Sequence, residues 1–183
     1  MNPALILVDV IRAFFDPEGL HHYADVRAVE EPIARLLAAA REHDRLVVHA
    51  VERHRPHLND FEQPKLPEHC LVGGRDAEFW PGFEPVERSA EIVVPKRRYS
   101  AFFATDLALV LQEQGIDTVV VAGVKANVCI RATCQDAFAH GFRVVLPPQA
   151  TGSNRPHLGA ASLEDVRRYL GETPDLEEVL AWL

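Results

Sequence analysis

The stretch DTVVVAGVKANVCIRATCQDA, residues Asp117–Ala137, decides the fold. Its run Thr118–Ala122 is rich in β-branched residues without polar alternation, which is typical of a strand covered on both faces in a parallel sheet. Gly123 opens a turn, and Asn127 is a reasonable N-cap for the helix that follows. Cys129 then falls in the first helical turn, where free N–H groups and the helix dipole favour a thiolate nucleophile. The alternative for this residue is a buried, inert cysteine.

The composition describes one acidic globular domain, for which we take residues 1–183 as the boundaries. The net charge of −8 argues against nucleic acid or an anionic membrane as the partner. No signal-peptide pattern and no bilayer-length apolar run are present, so no membrane partner is expected. The three cysteines, Cys70, Cys129 and Cys134, form no C-x-x-C pair, which favours free thiols in a reducing, cytoplasmic compartment.

Short apolar runs alternate with amphipathic segments along the rest of the chain. Strands are predicted at Ala4–Val8, Arg45–Val51, Ile92–Val94 (stopped by Pro95) and Phe142–Leu146. Helices are predicted at Val29–His43, Asp106–Gln114, Ser162–Leu170 (capped by Ser162) and Asp175–Leu183. Loops are predicted at Ile11–Tyr23, Glu52–Glu91 and Ala150–Gly159. This alternation predicts an α/β fold, a three-layer α/β/α Rossmann-like parallel sheet of five or six strands.

Chemically able side chains follow three of the predicted strands. Asp9 follows the first strand, Lys96 the third and Cys129 the fourth. Because ligands of parallel α/β sheets bind outside the carboxyl ends of the strands, we expect these three residues to share one rim. An Asp or Lys at a strand end is usually a solvated terminus or a cap. A thiol, an acid and an amine at one rim together indicate a nucleophilic site.

Three motifs resemble those of the isochorismatase-like cysteine hydrolases. They are LILVDVIRAFF around Asp9, PKRRYSAFFATDL around Lys96 and GIDTVVVAGVKANVCIRATCQDA around Cys129, and a smaller match, LPEHCLVGGRDAEF, spans Leu66–Phe79. The resemblance covers nearly the whole chain. That family includes nicotinamidase, N-carbamoylsarcosine amidohydrolase and ureidoacrylate amidohydrolase. The resemblance therefore implies an amidohydrolase, which acts on carbon–nitrogen bonds other than peptide bonds.

The resemblance also implies a role for each residue at the rim. Asp9 looks like the general base, Lys96 its partner and Cys129 the nucleophile that carries a thioacyl intermediate. The carboxylate accepts the thiol proton, and the ammonium is expected to lower the pKa of the thiol. The backbone N–H groups of Lys125 and Cys129 match the oxyanion-hole positions of the family. The bond matching Val124–Lys125 is a cis peptide in the family.

Departures from the family pattern reduce the number of reactions that we expect of this chain. Isochorismatase itself lacks the cysteine that this chain has at Cys129, so hydrolysis of a vinyl ether is not expected. Nicotinamidases carry D-x-H and a later His before a Cys, and the matching positions are Glu52, His54 and His69. These side chains can bind Zn²⁺, Mn²⁺ or Fe²⁺, against the alternative of loop histidines exposed to water. Leu66 stands where nicotinamidases have a tryptophan, which counts against nicotinamide as the substrate.

The resulting hypothesis is a cysteine hydrolase of a small amide, ureido or lactam substrate that needs no cofactor for its triad chemistry. Phe14, Tyr99 and Phe102 are candidate pocket walls, whereas His21 is expected to be solvated. Cys134 is expected to pack in the core. The relatives imply a homo-oligomer, either a dimer or a tetramer. Two alternatives stay open: a metal-dependent nicotinamidase, and an inactive family member that serves as a binding module.

Overall fold

A computed structural model describes residues 1–62, 64–87 and 90–183 of the protein. The fold is built on a parallel sheet. Its strands are Pro3–Val8 (β1), Leu46–Glu52 (β2), Glu91–Lys96 (β3), Thr118–Val124 (β4), Arg143–Val145 (β5), Thr151–Gly152 (β6) and Gly171–Glu172 (β7). The strand order is β3-β2-β1-β4-β5-β7, and β6 pairs with β4. The order reverses between β1 and β4, and such a switch point opens a crevice at the carboxyl ends of the strands.

Helices and buried side chains cover both faces of the sheet. The α-helices are Arg12–Phe15 (α1), Glu30–Glu42 (α2), Leu107–Glu113 (α3), Arg131–Ala139 (α4), Pro156–Asp165 (α5) and Leu176–Leu180 (α6). Alternate residues of β1 enter two separate apolar clusters, Leu5 and Leu7 on one face and Ile6 and Val8 on the other. The predicted three-layer α/β class is therefore confirmed. Within the described ranges, no helix is both long enough and apolar enough to cross a bilayer.

The expectation that Pro95 stops the third strand is wrong. Strand β3 continues through Pro95 to Lys96 and lies at the edge of the sheet. Proline is tolerated in an edge strand because its missing N–H can face away from the ladder. The strand count is also higher than predicted, because β6 and β7 are two-residue strands whose composition carries no apolar run.

Two predicted helix caps are also wrong. A π-helical turn, Ala126–Ile130, begins directly after β4, so Asn127 lies inside it, and its side-chain oxygen accepts a hydrogen bond from the Ser153 hydroxyl at 2.6 Å. Ser162 lies within α5, which begins at Pro156, a residue favoured at the first helical position. The predicted loop Ala150–Gly159 therefore contains β6 and the start of α5.

The ends of β1 and β4 come together at a glycine. Val8 pairs with Gly123, whose φ is +121°. A Cβ atom at this position would lie 2.1 Å from the carbonyl oxygen of Val8. A side chain here would push apart the two strands that flank the switch point, so glycine is required by space as well as by backbone conformation.

We expect Gly123→Ala to destabilise the protein by about 2–5 kcal/mol, because overpacking of roughly 1–3 kcal/mol adds to a left-handed strain of about 1–2 kcal/mol. Gly141→Ala is the matched control. Gly141 also has a positive φ, +87°, but a Cβ atom added there would have nothing within 4 Å. Urea unfolding should therefore show only the strain cost for Gly141→Ala, and equal losses in the two variants would contradict the steric argument.

Candidate active site

Asp9, Lys96 and Cys129 meet in a buried cluster at the carboxyl ends of β1, β3 and β4. Lys96 Nζ lies 2.9 Å from Asp9 Oδ2 and donates to Cys129 Sγ at 3.5 Å. None of the three residues is more than 3% exposed. The backbone N–H of Glu52, at the end of β2, donates to Asp9 Oδ1 at 2.8 Å. The structure thus brings together the acid, the amine and the thiol that the sequence predicts at one rim.

The sheet topology explains why a lysine occupies the third position. Strand β3 is separated from β1 by β2, so the two strand ends are two spacings of about 4.8 Å apart. Lys96 pairs in register with Glu52, and its long aliphatic arm reaches past β2 to Asp9. A compact ammonium on such an arm can contact a carboxylate and a sulfur at the same time.

The charges in this cluster set which groups hold protons. Burial raises the pKa of Asp9, with Glu52 adding to the effect and Lys96 opposing it. Burial lowers the pKa of Lys96, but the negative charges of Asp9, Cys129 and Glu52 outweigh it, so its pKa is raised and it stays an ammonium. Burial also raises the pKa of Cys129 well above its usual value; Lys96 opposes this, and Asp9 and Glu52 reinforce it.

The expectation of a lowered thiol pKa is therefore wrong. One ammonium cannot offset both the loss of water around Cys129 and the two nearby carboxylates, Asp9 and Glu52. The resting cluster is a neutral thiol beside a carboxylate–ammonium pair. Burial favours the neutral form of Asp9 as well, so the pKa values of the acid and the thiol are raised together.

Lys125, which precedes the turn Ala126–Ile130, holds that turn and Cys129 within it in place. The Val124–Lys125 peptide bond is cis. The carbonyl of Lys125 accepts hydrogen bonds from the N–H groups of Val128 and Ile130 at 3.0 and 3.2 Å. These bonds hold the turn against the end of β4, which places Cys129 beside the carboxyl ends of the central strands.

The predicted metal-ligating residues Glu52, His54 and His69 also lie together. Glu52 Oε1 lies 3.3 Å from His54 Nε2 and 3.4 Å from His69 Nε2. Glu62 joins them, and one donor atom from each of the four residues lies within 4.8 Å of the others. All four residues are buried, so the alternative of water-exposed loop histidines is wrong. We call these four residues the Glu52 cluster.

Hydrogen bonds outside the Glu52 cluster orient its two imidazoles. His54 Nδ1 donates to Asp60 Oδ2 at 2.9 Å, and His69 Nδ1 donates to the carbonyl of Pro67 at 2.7 Å. Both bonds aim Nε2 into the cluster. Such outer partners commonly fix the tautomer and the ring orientation of metal-binding histidines.

The Glu52 cluster fits a divalent transition metal. Both carboxylate oxygens of Glu62 and Nε2 of His69 are buried without a hydrogen-bond partner among the described residues. Arg98 Nη1 stands 3.6 Å from Glu62 Oε1, and burial together with Glu52 raises the pKa of Glu62. Buried polar atoms are costly when unsatisfied, and two imidazoles with two carboxylates suit Zn²⁺, Mn²⁺ or Fe²⁺.

An aromatic wall extends from the Glu52 cluster to Lys125. The Phe14 ring stacks on His21 at 5.5 Å between centroids, and His21 meets His69 edge-on at 4.7 Å. Lys125 Nζ lies 5.6 Å from the centroid of Phe14. His21 is partly buried, so the expectation that it is solvated is wrong. Burial, together with His69 and Lys125, lowers the pKa of His21 to about 4 and keeps the imidazole neutral at pH 7.

The two other candidate pocket residues lie in different surroundings. Tyr99 is 38% exposed and borders a cleft of about 480 Å³ that Phe61 and Glu62 also line. The Phe102 ring is buried and stacks on His140, at the end of α4, with 5.4 Å between centroids. Phe102 belongs to the apolar cluster that also contains Cys129, so its role as a pocket wall stays a prediction.

The other two cysteines, Cys70 and Cys134, are buried thiols to which we assign no role in the site. All three cysteines are free and buried. Burial raises the pKa of Cys134 to about 12 and also raises that of Cys70. Cys134 belongs to the apolar cluster on the α4 face of the sheet, as expected of an inert core thiol.

Known proteins share this fold and sequence pattern. A family model described as the isochorismatase domain matches residues 3–178. Maleamate amidohydrolase from Pseudomonas putida is 33% identical over 187 residues, which cover 100% of this chain and 87% of that protein. The crystal structure of nicotinamidase/pyrazinamidase PncA from Bacillus subtilis is 29% identical, with a TM-score of 0.90 over 96% of this chain and 100% of that chain.

A third match carries a metal. The pyrazinamidase of Pyrococcus horikoshii in complex with zinc is 28% identical, with a TM-score of 0.85 over 96% of this chain and 99% of that one. The family model spans nearly the whole sequence, and the matched proteins include enzymes named as amidohydrolases and amidases. The chain therefore belongs to the isochorismatase family, as its motifs indicated.

Proposed function

We propose that the protein hydrolyses the carbon–nitrogen bond of a small amide, with Cys129 as nucleophile, Asp9 as general base and Lys96 as the charge that supports both. The observation that carries this proposal is the buried ammonium of Lys96, 2.9 Å from Asp9 and 3.5 Å from the Cys129 sulfur. Family membership and the named amidohydrolase relatives support the general reaction class.

The reaction proceeds in two halves through a thioester. The Cys129 sulfur attacks the amide carbonyl while its proton passes to Asp9, which then gives the proton to the departing nitrogen as the C–N bond breaks. Ammonia or an amine leaves, and the acyl group stays on Cys129. Water then loses a proton to Asp9, attacks the thioester and releases the acid, and the proton returns to the sulfur.

Backbone N–H groups would stabilise the charge that develops on the carbonyl oxygen. We assign this role to the N–H of Lys125 and the N–H of Cys129, at the two ends of the turn that follows β4. Each such donor typically contributes about 3–4 kcal/mol to the transition state. Fixing of the Lys125 carbonyl by two hydrogen bonds supports this assignment, because preorganised donors need not reorient during the reaction.

Glu52, His54, Glu62 and His69 would hold a divalent metal beside the triad. A metal bound there would supply an electrophilic coordination position for a donor atom of the substrate. Glu52 links the two clusters, since its N–H holds Asp9 and its carboxylate contacts both imidazoles. The zinc complex of the Pyrococcus pyrazinamidase supports a metal in this fold.

Two candidate substrates follow from the relatives. Maleamate is suggested by the name of the Pseudomonas protein, and nicotinamide by the name of the Bacillus structure. Leu66 in place of a tryptophan removes a stacking surface for a pyridine ring and favours the aliphatic amide. We further propose a cytoplasmic homo-oligomer. The buried Asp9–Lys96 pair beside the thiol favours an enzyme over an inactive binding module.

Cys129→Ala should abolish ammonia release from the best substrate of a panel that includes maleamate and nicotinamide, because the thioester cannot form. Cys134→Ala is the matched control, since it removes a buried thiol on the same helical segment that lies outside the site. It should keep turnover within about threefold, although it will lower stability slightly. Full turnover by Cys129→Ala would exclude the covalent mechanism.

Asp9→Asn should abolish turnover yet speed the alkylation of Cys129 by iodoacetamide at pH 8. The wild-type thiol has a raised pKa, so its thiolate fraction grows only as the pH rises toward that value; removing the negative charge of Asp9 lowers the pKa and increases the fraction. Peptide mass spectrometry would identify the modified residue, with Cys129→Ala as the blank. Slower alkylation in Asp9→Asn would contradict the charge assignment.

Zn²⁺ added to metal-free protein should raise the melting temperature, because the metal binds the folded state. Glu62→Gln should reduce this shift and weaken Zn²⁺ affinity by about 10- to 100-fold, since the amide is a poorer ligand than the carboxylate. Glu68→Gln, an exposed neighbour on the same loop, should leave both values unchanged. Identical Zn²⁺ titrations for the two variants would rule Glu62 out as a ligand.

A further inference from the structure

We propose that the side chain of Lys125 binds a carboxylate on the substrate, so that the preferred substrates are amides that carry a second, acidic end. Monoamides of short dicarboxylic acids are the simplest members of this class. The inference rests on the proposed function, because it takes the amide carbonyl to lie against Cys129. It adds a residue that selects the substrate, as distinct from the residues that carry out the chemistry.

The position of Lys125 relative to the nucleophile is fixed. Lys125 is the first residue after β4, and the turn that carries Cys129 follows it directly. Its carbonyl is held by the N–H groups of Val128 and Ile130. The Cα end of the Lys125 side chain is therefore held in place. Its ammonium lies no farther than the length of a lysine side chain from the start of the turn that carries Cys129. A short substrate whose amide carbonyl lies against Cys129 can therefore extend its far end toward Lys125.

The ammonium of Lys125 has no anionic partner in the described part of the chain. Lys96, the other lysine of the site, is paired with Asp9 at 2.9 Å. The Lys125 ammonium instead lies 5.6 Å from the centre of the Phe14 ring, and the residue is only partly exposed. A partly desolvated cation without a counter-ion binds a carboxylate more strongly than a solvated one does, because less water must be removed.

The wall around this ammonium suits a short carbon chain. Phe14 and His21 stack on each other, and His21 reaches His69 of the Glu52 cluster. The Lys125 ammonium lies over the face of Phe14, the ring that stacks on His21. The wall therefore offers apolar ring faces and one positive charge, so an acidic end gains an ion pair there that a neutral end cannot make.

Succinamate and butanamide form a matched probe pair, since they share an amide and a four-carbon chain and differ in the terminal carboxylate. The readout is kcat/KM for ammonia release. In the wild type, succinamate should be preferred by at least about tenfold. Lys125→Met keeps the length of the arm and removes the charge, and it should lower this preference by about 10- to 100-fold, mainly by raising KM. Lys125→Arg should largely retain the preference.

Arg167→Met is the control for charge alone, because Arg167 is an exposed cation near the end of the α5 segment. It should leave the preference unchanged. If Lys125→Met lowers kcat/KM equally for succinamate and butanamide, the preference is unchanged and the inference is overturned. A preference that a chelator abolishes but Lys125→Met retains would place the carboxylate on the metal cluster, which also overturns it.

A binding measurement keeps the inference testable if Lys125→Met does not fold. Calorimetry on Cys129→Ala, which cannot turn over but retains Lys125, should give a Kd for succinamate at least about tenfold below that for butanamide. Equal Kd values would overturn the inference. Failure of the proposed function looks different: Cys129→Ala would still release ammonia. Wild-type protein that hydrolyses nicotinamide but neither probe would overturn the inference and leave the function standing.

Discussion

The buried ammonium of Lys96 is the interaction on which the site depends. A lysine with no exposed surface keeps its charge only where negative groups compensate the lost hydration, and Asp9 provides that compensation at 2.9 Å. Removal of either partner would leave the other charge buried and unpaired. The same pair determines the state of Cys129, because an ammonium already matched by one carboxylate cannot also stabilise a resting thiolate.

The end of β2 connects this pair to the second cluster. The N–H of Glu52 fixes Asp9, and the carboxylate of Glu52 contacts His54 and His69. Burial raises the pKa of Glu52, but the charge of Lys96 and the two neighbouring imidazoles, His54 and His69, outweigh it and hold the pKa well below its usual value. Glu52 thus contacts both Asp9 and the two imidazoles of the Glu52 cluster.

Much of this arrangement could be predicted from the sequence, and the reasons are specific. Asp9 and Lys96 directly follow apolar runs and Cys129 lies in the turn after a third, and the rule that parallel strands present their carboxyl ends on one edge is enough to bring them together. Glu62 could not be found this way, since it lies in a long loop rich in charged residues with no metal-binding spacing. The partial burial of His21 could not be predicted for a related reason. The burial of a loop residue depends on tertiary packing, which the sequence periodicity does not indicate.

The thiol pKa shows a different limit of sequence reasoning. Placement of Cys129 early in a helical segment, near a lysine, points to a thiolate, and each of those local effects is real. Their sum is nevertheless outweighed by two features of the folded chain: the complete burial of the sulfur and its proximity to Asp9 and Glu52. Sequence patterns identify which groups interact, but the sign of a net shift depends on distances and on the loss of water.

The overall charge of the site links the metal proposal to the choice of substrate. The site buries three carboxylates, those of Asp9, Glu52 and Glu62, and one ammonium, that of Lys96; burial and then the charge of Glu52 raise the pKa of Glu62. A divalent cation in the Glu52 cluster would bring these groups to neutrality. Lys125 has no anionic partner among the described residues, and one carboxylate on the substrate would supply it.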